Sequence, residues 1–272
     1  MRLLKVIALM LAIVLVGAAC SRLTFVKPKA GRGSYRQVAP EYNFGDDTAG
    51  KQRMAASDHL ALAENGLRSG RLDAAEADAN AALKGDSKSW GAYTLLGAIE
   101  DQRGHAAQAG GYYAKAAALA PTNGDVLNNY GAWLCDNGRG AESLQWFDRA
   151  LADPTYRSPA SALANSGSCA LHAGQAAKAD QNLQQALALD SVNPVALAAM
   201  AEVQYRGGHY LEARAFSERR LSAAPASPEV LQLASQIEDK LGDSAAAARY
   251  VQRSRTEFPQ ARNAQPGESS QP

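Results

Sequence analysis

Strand-forming material is scarce in this sequence. Beyond residue 26 there is no run of Val, Ile, Thr and aromatic residues of the kind that fills a sheet. Aromatics make up only 7% of the chain, while alanine dominates, a composition suited to helices packed through small side chains. Excess basic charge is also missing. A formal net charge of +1 without a basic patch in the repetitive part excludes the usual electrostatic footprint of a nucleic-acid binder. Histidine is rare: His59, His105, His172 and His209 are scattered, and no pair has metal-ligand spacing. No motif positions a nucleophile, and carboxylates such as Glu64 and Asp136 read as solvated or groove-lining. There are three cysteines and no Cys-x-x-Cys, which argues against thiol redox catalysis. No catalytic residue, cofactor, metal or small-molecule substrate is therefore expected, and no nucleic-acid partner.

The one long apolar run stands at the start. In MRLLKVIALMLAIVLVGAAC, Arg2 and Lys5 precede an uncharged stretch from Val6 to Val16, too short for a spanning helix and of the length of a secretory signal core. Gly17, Ala18 and Ala19 then lead into Cys20. This order resembles the lipobox of bacterial lipoproteins, with Gly17 where the family prefers Leu. The resemblance implies cleavage before Cys20 and lipidation of its thiol. Each buried CH₂ of an acyl chain contributes about 0.8 kcal/mol, so several chains give a near-permanent membrane anchor. The alternative is an ordinary secretory signal, which would leave Cys20 a lone thiol in an oxidising compartment. Ser21 occupies the place where Asp would retain such a protein at the inner membrane, so the resemblance points to the outer membrane, facing the periplasm.

Residues 20–52 read as the lipidated cysteine and a flexible tether, with Pro28, Gly31, Gly33, Pro40, Gly45 and Gly50. About 30 such residues span roughly 30 Å on average. The basic side chains Arg22, Lys27, Lys29, Arg32 and Arg36 serve either solubility or contact with an anionic surface, and EYNF at 41–44 offers an aromatic pair for docking on the first helices.

The strongest signal is an internal repeat. Gly70, Gly104, Gly138, Gly174, Gly208 and Gly242 recur at spacings of 34, 34, 36, 34 and 34. Five residues after each stands a small residue: Ala75, Ala109, Ser143, Ala179, Ala213 and Ala247. Four further on come larger ones such as Tyr113, Phe147, Leu183 and Val251, and Pro121, Pro225 and Pro259 close units. The pattern resembles the tetratricopeptide repeat, a helix–turn–helix of 34 residues. In that motif glycine makes the turn, small residues at positions 8 and 20 let helices A and B approach, and the large residue at position 24 fills the space to the next unit. An all-α, right-handed α-solenoid of six units follows, at 56–89, 90–123, 124–157, 160–193, 194–227 and 228–261. The signal peptide occupies 1–19, the repeat domain 53–261, and a polar tail 262–272. The two additional residues lie in DPTYRSP, 153–159, between units three and four.

Cys135 and Cys169 fall on helix A of neighbouring units. Adjacent A helices run side by side, and Gly131, Gly167 and Ser168 permit close approach, so an oxidising compartment favours a Cys135–Cys169 disulfide. The alternative is two small buried thiols that stay reduced. The concave face of such an array is its usual binding surface. Its expected lining includes Leu60, Glu64 and Leu67 in unit one, with Asn128, Asn129, Ala132, Asp136, Asn165, Ser168 and His172 in units three and four. Asn129 and Asn165 share one repeat position, where an amide either pairs with a peptide backbone or is simply solvated.

Lipobox, tether and six repeats together, with the run NNYGAWLC at 128–135 and the later Cys169, resemble the type IV pilus biogenesis and stability lipoproteins, the PilF/PilW pilotin family. The resemblance implies an outer-membrane lipoprotein that binds secretin subunits and promotes their localisation and multimerisation, with the N-terminal units as the preferred contact. A scaffold in outer-membrane protein assembly and an adaptor for peptidoglycan enzymes are the alternatives.

Overall fold

The computed structural model describes residues 48–259. Cys20, the lipobox, residues 41–44 and the tail 262–272 lie outside the described residues. Among the described residues there are twelve α-helices and no strand, paired as six helical hairpins. The pairs are α1 (Thr48–Arg68) with α2 (Leu72–Gly85), α3 (Trp90–Gln102) with α4 (Ala106–Leu119), and α5 (Gly124–Asp136) with α6 (Gly140–Leu151). They continue with α7 (Pro159–His172) and α8 (Ala176–Leu189), α9 (Pro194–Arg206) and α10 (Tyr210–Ala223), and α11 (Pro228–Leu241) and α12 (Ser244–Glu257).

All six turn glycines take positive φ, between 69° and 82°. A Cβ added at any of them would meet nothing within 4 Å, so backbone conformation rather than crowding requires glycine there. Each turn closes in the same way. In unit two the Gly104 N–H donates to the Asp101 carbonyl at 2.9 Å and the His105 N–H reaches back to Glu100 at 2.9 Å. This is the Schellman arrangement, and it satisfies carbonyls that the ending helix leaves without partners. The other end of the hairpin is set by caps. The side chains of Ser89, Asn123, Asn193 and Ser227 accept from backbone N–H groups three residues on, which starts α3, α5, α9 and α11.

Close packing follows the small residues. Ala75, Ala109, Ser143, Ala179 and Ala213 are fully buried, and Ala247 nearly so. A Cβ on Gly97 would lie 2.9 Å from the Tyr113 ring, one on Gly131 2.9 Å from Phe147, and one on Gly167 2.6 Å from Leu183. The position-24 side chain therefore seats first on the position-8 glycine of its own unit, a contact additional to the inter-unit filling expected of it. The expected filling is present too: Tyr113 shares a buried cluster with Val126, Leu127 and Tyr130 of the following unit. Val251, which has no following unit among the described residues, is 38% exposed.

One boundary differs in detail from the sequence reading. Helix α1 begins at Thr48, inside the segment assigned to the tether. Its early turns have something to pack on: a Cβ at Gly85 would lie 3.0 Å from both the Ala56 Cβ and the Gln52 carbonyl, so α1 runs against the end of α2. The lengthened connection between units three and four is organised by Asp153. Its carboxylate accepts from the Thr155 hydroxyl at 2.7 Å, from Gly124 N–H at 2.8 Å and from Thr155 N–H at 2.8 Å, and these donors, the hydroxyl most strongly, hold it below the usual aspartate range.

Candidate partner-binding face

Helices α1, α3, α5, α7, α9 and α11 are the A helices, and consecutive ones are in contact along the array. At its N-terminal end Leu60 and Leu67 are half-buried and Glu64 is exposed. Leu60 lies over the Cα of Gly91, its methyls 3.7 and 3.8 Å from where a Cβ would stand, so it fills the seam between α1 and α3. Met54 and Leu62 on α1 and Trp90 on α3 are 54%, 54% and 42% exposed, an apolar exposure outside the expected lining.

In the middle of the array the structure joins Cys135 of α5 to Cys169 of α7, with Cα atoms 5.8 Å apart. One turn or more away on the same two helices, the Asn165 side-chain amide donates to the Asn128 Oδ1 at 3.0 Å. Asn165 is thus engaged within the array, which removes one of the donors proposed for a bound backbone. Asn129 is half-buried beside Asn128. The unit-one residues and this central set stand on different A helices and do not form one site.

Further along, a concavity of about 510 Å³ is formed by α9 and α11 with Ser168 of α7 at its edge. Val195, Ala198, Ala199, Val230 and Leu233 supply its apolar surface. The residues sit at the repeat positions expected to face inward, but in units four to six, which the sequence reading did not favour.

Charge is concentrated at a few seams. Glu100 is only 3% exposed, and it is approached by His105 Nδ1 at 2.6 Å and by an Arg103 donor at 2.7 Å. Those partners hold its carboxyl below the usual range, His105 most strongly, against the opposing effect of burial. Arg103 also reaches Glu76 and Asp73 on α2, each at 2.6 Å, so the cluster fastens unit one to unit two. Glu238 repeats the device at the other end, paired with Arg214 of α10 across the boundary between units five and six. Both glutamates occupy repeat position 11, where the other units carry Gly66, Leu134, Ala170 and Gln204. A carboxylate at an otherwise uncharged register was the signal in the sequence that could have revealed these seams. On the inner face Asp136 is pushed above the usual aspartate range by loss of solvent and by the like charge of Asp101, with His172 opposing.

Among the described residues no group of three or more His, Cys, Asp or Glu side chains could hold a metal ion. None of the described helices is long and apolar enough to cross a membrane.

Six helical hairpins of one design, closed by left-handed glycines and stacked through small residues, define a tetratricopeptide-repeat solenoid, an architecture that mediates protein–protein contact. The family described as "Tetratricopeptide repeat" matches residues 170–237. Over 201 residues the chain is 26% identical to the type IV pilus assembly protein PilF of Pseudomonas aeruginosa, covering 74% of this chain and 80% of that one. The crystal structure of PilW, described as a widely conserved type IV pilus biogenesis factor, matches with a TM-score of 0.66 at 29% identity over 75% of this chain and 94% of that one. A structure of Pseudomonas aeruginosa PilF has the same fold, with a TM-score of 0.65 at 24% identity, covering 77% and 95% of the two chains. The protein is a tetratricopeptide-repeat protein similar to PilF and PilW.

Proposed function

We propose that this protein acts in type IV pilus biogenesis as a pilotin: an outer-membrane lipoprotein, anchored through Cys20 and facing the periplasm, that binds secretin subunits and promotes their localisation and multimerisation. The observation that carries this reading is the match of the whole solenoid to two type IV pilus proteins over about three quarters of the chain. The lipobox-like GAAC at 17–20 supplies the anchor, and the array supplies a surface without a catalytic constellation. The contact surface is assigned to units one and two, where Leu60 and Leu67 share one face of α1 and Met54, Leu62 and Trp90 are exposed on α1 and α3. Solvent-exposed apolar side chains of this size, grouped near one end, suit capture of an apolar segment that would otherwise aggregate.

The test compares parent, deletion and Cys20→Ala strains by membrane fractionation and unboiled gels of the secretin. The expected outcome is loss of the heat-resistant multimer in the deletion, and a reduced or mislocalised multimer in the Cys20→Ala strain. A normal multimer in both rejects the reading and moves attention to outer-membrane protein assembly and to peptidoglycan enzymes.

A further inference from the structure

The two ends of the array depart from the repeat at the positions where neighbouring units meet. Across internal seams, repeat position 28 of one unit packs toward position 3 of the next. Ala117 shares a buried cluster with Val126, and Leu187 packs against the cluster that holds Ala196. Position 24 meets position 7 in the same way, as Tyr113 with Tyr130 and Leu183 with Met200. Position 21 faces position 10: a Cβ on Gly110 would lie 2.2 Å from the Trp133 ring.

Position 28 is Leu or Ala in units one to five, and position 3 is Ala or Val in units two to six. Only the two ends, which have no neighbouring unit on that side, break the rule. Unit six carries Arg255 at position 28, and unit one carries Asp58 at position 3. Both are exposed, and neither makes a hydrogen bond or ion pair among the described residues. A terminal unit needs a polar outer face for solubility, and charge of either sign would supply it. Here the charges are opposite, and they stand at the two positions that a continued seam would bring together.

The apolar positions match as well. Position 7 is buried in units two to six and position 24 in units one to five, whereas the terminal occupants, Leu62 and Val251, are exposed. Beside Val251 lies a concavity of about 540 Å³, bounded by Ser235, Ala247, Ala248 and Arg255. By repeat register this is where the A helix of a following unit packs. Ala248 at position 21 leaves room there for Asn65, the position-10 residue of unit one.

We propose that the outer faces of unit six and unit one are the two halves of one interface, through which a second copy of this chain docks its first unit on the last unit of the copy before it. Arg255 then pairs with Asp58, and Val251 packs on Leu62. The contact is heterologous, so copies add head to tail and each row keeps one free end of each kind. The chain's own residues 260–272 are not the occupant, since they hold no Val, Leu, Ile or aromatic side chain to cover Val251. The inference does not rest on the pilus role. It shares Leu62 with the surface assigned to secretin, so a docked copy withholds that side chain, while Met54 and Trp90 stand outside the mating positions.

The test is sedimentation velocity on the full-length protein, purified from membranes in density-matched detergent. The parent is expected to associate with rising concentration. Asp58→Arg and Arg255→Glu, each of which sets like charges across the interface, should weaken association by about fivefold or more. An equimolar mixture of the two variants should restore it, because each supplies the charge that the other lacks, and this restoration also shows that both are folded. A second readout locates the contact. Arg255→Lys, treated with a carbodiimide, should yield an amide between the Asp58 carboxyl and the substituted amine, joining an isotope-labelled copy to an unlabelled one in mass spectra. A parent that stays monomeric, association indifferent to both charge reversals, or no restoration on mixing overturns the proposal. So does association weakened by Arg255→Glu alone, which would mean that two C-terminal units meet each other. Secretin multimers in the deletion strain test the pilotin reading separately, so either idea can fail without the other.

Discussion

The seam between units three and four and the seams at the two ends of the array are fastened by different chemistry. In the middle, α5 and α7 are joined by the Cys135–Cys169 disulfide and by the Asn165–Asn128 amide pair. Toward the ends, Arg103, held by the buried Glu100 of its own unit, reaches Asp73 and Glu76 of unit one, and the buried Glu238 pairs with Arg214 across the boundary between units five and six. A covalent link acts at any pH and ionic strength but depends on the redox state. A carboxylate link acts in a reducing medium but depends on its proton. In a solenoid whose stability is a sum of unit and neighbour terms, such different fasteners make the seams fail under different conditions. The middle seam also carries the lengthened loop at 153–159, where the repeat register slips by two residues. The staple lies at the one boundary with that irregularity.

The comparison can be broken most forcefully at the staple. Reduction, or the variant Cys135→Ser/Cys169→Ser, releases a loop of 34 residues' separation and is expected to cost about 3–4 kcal/mol in the chain-entropy account. Urea melts with and without reductant read this, and coincident melts would show that the middle seam does not depend on the bond. A smaller effect is expected from acid at the end seams. Glu100 has a folded pKa below its ordinary value of 4.5. Its contribution is therefore fully present above that value and is lost as pH falls through the folded pKa. Glu100→Gln should flatten the acid limb of a stability–pH profile below about pH 4.5 while leaving the disulfide effect intact. An acid limb equally steep in the variant would remove the carboxylate from the account.

The smallest expected effect has the opposite sign. Asp136 has a raised pKa in the folded state, so its ionised form opposes folding at neutral pH, and that penalty diminishes as pH falls through the folded value and is gone below the ordinary value of 3.8. Asp136→Asn should stabilise the protein at pH 7 by up to about 0.5 kcal/mol, the scale of a surface substitution, and by nothing in acid. Thermal melts at both pH values check it. A destabilised variant at pH 7 would mean that Asp136 has a partner of greater weight than its loss of solvent and Asp101's repulsion together.

Residues at fixed spacing made the unit count, the turns and the close-packing positions legible in the sequence, because each is decided within one hairpin. A glycine with positive φ or an alanine beneath a neighbouring helix meets the same local demand in every repeat. The candidate site was legible only in part. The inward-facing positions could be listed, yet Asn165 proved to be engaged with Asn128, Leu60 proved to fill a seam, and the concavity opened in units four to six. Glu100 gave a hint through its unusual register, but the carboxylates that its partner Arg103 reaches on α2 come from another unit. These outcomes depend on how neighbouring hairpins stack, and a change of one side chain at a seam alters which groups meet across it.

By itself, then, the sequence determined an all-helical repeat of six hairpins, the register of its small and large residues, and the placing of two cysteines on neighbouring A helices. Only the tertiary structure decided that those cysteines stand 5.8 Å apart, which carboxylates are buried against which arginines, and where along the inner face there is room for a partner. The physical reason is the range of the interactions involved. Turn conformation and helix capping are settled within a few residues, whereas a cavity or a buried ion pair is the product of two surfaces separated by about a repeat length.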